Sequence, residues 1–100
     1  MTIRYTPELL EYMDKKNNHT ILVEMIEINN TDVEVTDLHV YLPHPNQKEK
    51  FLKEKRYRTV TTEVGDVLFP PFPLQIEEEI IFGLKKRWIF TSLSYKGIKI

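Results

Sequence analysis

The chain has no cysteine. That rules out a disulfide framework, a four-cysteine zinc ribbon and a thiolate-held iron–sulfur cluster built from its own residues. Glycine is scarce, with three in 100 residues. There is accordingly no phosphate loop, no G-x-G-x-x-G turn and no G-x-S-x-G nucleophile elbow. No apolar run approaches the roughly 20 residues that span a bilayer, so no membrane partner is expected. The opening MTIRYTPELLEY has no signal-peptide core and carries early acids, so a cytoplasmic, bacterial-style protein is expected. The net charge is −1, and no global field draws nucleic acid.

What is present is ordinary for a folded domain. Apolar residues make up 41% and charged residues 29%, and β-branched residues run the full length, which argues against disorder. One hundred residues suffice for a single core, and no linker or repeat divides residues 1–100. Charge is uneven along the chain. Residues 1–47 carry three bases against eight acids, a net of −5, and residues 48–100 carry eleven against seven, a net of +4. A solvated basic helix accounts for this, and so does a molecule with a charged front and back.

Residues 6–16 read as a helix. Thr6 caps it, Pro7 has the right φ for a first turn, Glu8 and Lys15-Lys16 suit the dipole, and Leu9, Leu10 and Met13 form one apolar stripe. From Thr20 the period becomes two, giving a strand over 20–28 and a turn at Asn29 to Asp32. A second strand over 33–42 changes phase, which predicts a bulge near Thr36-Asp37. Asn46 and Glu49 suggest a cap for a short surface helix over 47–55. Residues 57–64 alternate as a strand, Gly65-Asp66 reads as a hairpin turn, and Val67 to Phe69 continue the β pattern. Pro70-Pro71-Phe72-Pro73 lacks three backbone donors and must cross over at the rim. Leu74, Ile76, Ile80 and Phe82 resume the alternation around Glu77 to Glu79, which puts Ile76 and Ile80 in the core, Glu77 and Glu79 toward solvent and Glu78 inward. Gly83 to Arg87 is expected as a turn. Trp88 to Tyr95 forms an aromatic strand whose Trp88, Phe90 and Tyr95 are assigned to the core and sheet faces, and Ile98 to Ile100 forms a last edge. The sum is an α+β domain, six or seven short mixed strands in a sheet or pseudo-barrel capped by the N-terminal helix.

This order of elements resembles the HesB-like, A-type iron–sulfur carrier family. The threonine–proline helix, TILVEMIEI, YRTVTTEVGDVLF, LQIEEEIIF and WIFTSLS carry the likeness. The likeness extends to a short offshoot marked by a Cys-Cys or selenocysteine pair, whose members end in a tail like YKGIKI. It implies a helix-capped mixed β fold. It also implies cluster chemistry from one cysteine after the first long strand and from a C-terminal Cys-Gly-Cys. Here those places read Ile28 to Asp32 and Tyr95 to Ile100, with no cysteine. No functional residue carries over.

Three constellations remain. Asp37 and His39 share a strand face, and His44 could fold back past Pro43, an imidazole and carboxylate set suited to zinc or iron(II). A histidine pair beside a turn explains the same residues. Lys48, Lys50, Lys53, Lys55, Arg56 and Arg58, with Phe51 and Tyr57 between, could hold anions or nucleic acid, Lys53, Lys55, Arg56 and Arg58 foremost, although Glu49 and Glu54 dilute them. Phe69 and Phe72 at the proline rim, and Ile98 and Ile100 on an edge, could anchor another protein or a second copy. The expectation is a non-enzymatic, Cys-less HesB-like scaffold without cofactor, acting through a protein partner or as a homo-oligomer. Nucleic acid is not expected as a partner.

Overall fold

A computed structural model describes residues 1–29 and 34–100. The turn expected at Asn29 to Asp32, and Val33 after it, lie almost wholly outside the described residues. The elements are β1 (Thr2–Tyr5), α1 (Pro7–Lys16), β2 (Thr20–Asn29), β3 (Glu34–Tyr41), α2 (Pro45–Lys53), β4 (Arg58–Thr61), β5 (Asp66–Phe69), β6 (Gln75–Arg87) and β7 (Phe90–Lys99).

Helix α1 forms as its residues dictate. Thr6 Oγ1 accepts from Leu9 N, Pro7 opens the first turn, and Asn17 ends it in the left-handed region at φ 49°. Leu9 and Met13 are its buried stripe. Tyr5 lays its ring near Phe82, 6.2 Å between centroids, and places its hydroxyl 2.9 Å from Thr62.

Two mixed sheets form instead of one, ordered β1-β6-β7 and β3-β2-β5-β4. Strands β1 and β6 run parallel, as do β2 and β5, and the other pairs are antiparallel. The main core lies where the sheets and α1 meet: Leu9 and Met13, then Ile21, Val23, Leu38, Val40, Val67 and Phe69, then Ile80, Phe82 and Ile98. A second cluster occupies the other face of the four-stranded sheet, where Leu22 and Leu68 meet Phe51 of α2 and Tyr57. Strands β2 and β5 are thus buried on both faces, which explains their unbroken ILV and VLF runs. The result is a small compact α+β domain. Among the described residues, no helix is long and apolar enough to cross a membrane.

Several expectations are corrected. The β2–β3 register runs without a shift from Leu22↔Tyr41 to Asn29↔Glu34, so there is no bulge at Thr36-Asp37. Helix α2 starts at Pro45, with His44 and Gln47 as the capping box, and Phe51 is 4% exposed, so it is a docked helix and not a surface arm. The β4–β5 loop is Thr62 to Gly65, held by Thr62 Oγ1, which accepts from the Val64 and Gly65 amides. Gly83 to Arg87 is not a turn. Strand β6 continues to Arg87, which pairs with Phe90 across a two-residue loop. Trp88 and Phe90, assigned to the core and sheet faces, are 101% and 73% exposed, so neither is core, and Trp88 lies in the loop before β7. Ile76 is 42% exposed, and β6 and β7 shift register between Ile76 and Ile81, which turns Glu78 outward.

Candidate functional site

The proline run carries the chain from β5 to β6. Pro70 is buried and anchors it, while Pro71, Phe72 and Pro73 stand exposed. They rim a hollow of about 670 Å³ whose floor includes Val60, Phe69, Leu74 and Ile76. Phe72 is 55% exposed at the edge. Strand β4 borders the hollow through Thr59 and Val60 and is the last strand of its sheet. Its outer backbone groups are therefore available to an added strand.

Arg56 and Arg58 line the same hollow. Tyr57, between them, is 7% exposed, meets Phe51 edge-on at 4.8 Å, and accepts from Met25 N through its hydroxyl. Its burial turns both neighbours outward. Among the described residues, neither arginine has a carboxylate within ion-pair distance. The other two basic candidates are engaged: Lys53 pairs with Glu49, and Lys55 lies 4.5 Å from the Phe51 ring.

The metal candidates do not gather. Among the described residues, no three His, Asp or Glu side chains form a metal-holding group. Each of the three has another task. Asp37 accepts from Leu38 N, His39 lies 4.4 Å from the Tyr41 ring and 3.9 Å from Glu24, and His44 Nδ1 accepts from Asn46 N as the cap of α2. Of the proposed contact residues, Phe69 and Ile98 are core, each 4% exposed, while Phe72 and Ile100 are at the surface.

A larger hollow of about 780 Å³ lies between the ends of α1 and α2. Three of its polar groups are engaged internally, His19 on Asp14 at 2.7 Å, Lys48 on Asp66 at 3.2 Å and His44 on its helix, while Lys16 lies 5.6 Å over the Tyr12 ring. Beside α2, Tyr41 donates to Glu24 at 3.0 Å. Burial, then that carboxylate, push the Tyr41 hydroxyl well above the ordinary tyrosine range. A phenol held neutral in this way acts as a strut and not as an acid or base near neutral pH.

Sequence reasoning found Phe72, Arg56 and Arg58 but not their neighbours Val60, Leu74 and Ile76. Ile76 was assigned to the core because its strand alternates. Only the shift in register past it puts it at the rim. The chain matches no family model, no curated protein and no solved structure.

Proposed function

We propose that the chain is a non-enzymatic scaffold that captures an extended segment of another protein along β4. The carrying observation is the pair of unpaired arginines beside an apolar hollow at a sheet edge. The captured segment adds as a strand, sets an apolar side chain between Phe72 and Ile76, and offers a carboxylate to Arg56 or Arg58. Kinship with HesB-like carriers, on this reading, is one of scaffold alone, since no sulfur ligand exists for a cluster.

Panning a displayed library of random peptides against the whole chain tests it. Enriched peptides should combine apolar and acidic residues. They should lose at least tenfold in affinity against Phe72→Ala and against Arg56→Glu/Arg58→Glu, roughly the effect of removing one anchor. Peptides that bind both variants as well as the parent chain would place the contact elsewhere.

A further inference from the structure

Among the described residues, the most exposed apolar group lies outside that hollow, at the tip of the β6–β7 ribbon. Residues 85–92 are exposed without interruption. Within them, Trp88 is 101%, Ile89 89% and Phe90 73% exposed. Lys85, Lys86 and Arg87 immediately precede them, and no acidic residue follows Glu79. Among the described residues, these three bases have no carboxylate partner.

Trp88 has a φ of 55°. A bulky aromatic side chain rarely occupies that region, and glycine is the usual residue at a tight turn of this kind. The turn therefore keeps a strained tryptophan that touches nothing in the core. Such strain persists where another requirement holds the side chain in place.

We propose that this tip is an anchor for an anionic lipid surface. The side chains alternate along β6, so Lys85 and Arg87 lie on one face of the ribbon and Lys86 on the other. The bases form a collar around the tip, and a plane of anionic headgroups meets such a collar on all sides. Three residue steps run from Lys85 to Trp88, about 10 Å, which matches the depth at which interfacial side chains settle. Tryptophan and phenylalanine favour that layer, and clustered Lys and Arg are drawn to the surface beneath it. A protein partner fits the shape less well. The tip is convex, and its three side chains offer about 500 Å² of contact, below the roughly 800 Å² per partner of a stable protein interface. The lack of a spanning helix does not bear on contact of this kind.

Trp88 is the only tryptophan in the chain, so its emission reports the tip alone. The full chain is mixed with vesicles of phosphatidylcholine, with and without about 30% phosphatidylserine, and co-flotation and emission are recorded. Anionic vesicles should float the protein, shift Trp88 emission to the blue and allow quenching by brominated acyl chains. Binding should exceed that to neutral vesicles by about tenfold or more and weaken as salt rises. Trp88→Gly relieves the turn and should fold normally by circular dichroism yet lose flotation about tenfold. Lys85→Glu/Lys86→Glu/Arg87→Glu keeps the tryptophan and should show neither flotation nor shift. Unchanged emission and no flotation of the parent chain on anionic vesicles would overturn the proposal. So would undiminished flotation of the charge-reversed variant. A blue shift that grows with protein concentration in the absence of lipid would assign the tip to a second copy and would overturn it as well.

Discussion

Removing the ring of Phe51 should cost the protein about 3 kcal/mol of folding stability. Full burial of a phenylalanine and truncation to alanine typically lose 3–5 kcal/mol through transfer and cavity terms. Phe51 belongs at the lower end. Its cluster, with Leu22, Tyr57 and Leu68, is one helix thick, so α2 can settle or water can enter. The loss includes the edge-on contact with Tyr57, a term of about 1 kcal/mol. A 100-residue domain has about 5–15 kcal/mol in total, so Phe51→Ala should still fold. Urea melts followed by circular dichroism read the effect. With a slope near 1.5 kcal/mol per molar, the midpoint should fall by about 2 M. Phe51→Leu should cost less than half as much. The variant should also weaken peptide capture, because Tyr57 loses its stop and no longer fixes Arg56 and Arg58 at the hollow. A midpoint shift within the ±0.5 kcal/mol of an ordinary surface substitution would refute the reasoning. It would mean that residues 45–53 lie on the sheet without contributing to it.

Gly65→Ala should destabilise by about 2 kcal/mol or more, seen as a drop of roughly 10 °C in thermal melting, because the new Cβ would sit 1.9 Å from the His19 carbonyl oxygen. Stability should fall above about pH 10. Unfolded tyrosines release protons there, while folded Tyr41, Tyr5, Tyr57 and Tyr95 hold theirs, chiefly because burial disfavours the phenolate. The contribution is complete below the unfolded pKa and is lost as pH rises past it. Tyr41→Phe should therefore flatten that alkaline decline by less than the limiting value of about 1.4 kcal/mol per pH unit, the ring being only partly buried, as denaturant melts between pH 8 and 11.5 would reveal.

Much of the architecture was legible because it is written locally. The cap at Thr6, the proline at position 7 and the stop at Asn17 all concern a few consecutive residues, and α1 appears where they put it. The runs ILV and VLF mark strands covered on both sides, whichever elements cover them. Strand β1 was missed for the opposite reason. Four residues, half of them polar, form a strand only because β6 lies alongside in parallel, with Thr2 opposite Glu79. Helix α2 was placed two residues late because a histidine took the capping role that the asparagine pattern suggested. In the candidate site, Phe72, Arg56 and Arg58 were each visible as types of residue. Their common hollow was not, since it depends on β4 folding back beside β5.

The ribbon tip shows where alternation stops being informative. Between Ile76 and Ile81, four residues of β6 face the single residue Gly97 of β7. Gly97 has φ 90°, and a side chain there would meet the Glu79 carbonyl oxygen at 2.2 Å, so the bulge needs a glycine. Beyond it the strand regains its period. Ile80 and Phe82 enter the core, and Leu84 lies at its margin. Lys86 takes the next core-side place, Trp88 stands in the turn, and Phe90, opposite Arg87, lies on the other face, with nothing to cover either ring. An alternating strand reads alike inside a core and beyond it, and length decides the difference. Thirteen residues of β6 would extend about 43 Å if straight. A strand of that length needs the longest dimension of the molecule, 41 Å, since the other two are 33 and 30 Å. With the Gly97 bulge setting where β6 meets the core, the last residues of the strand, 85–87, run past the end of the core, and the turn at Trp88 stands beyond it, exposed.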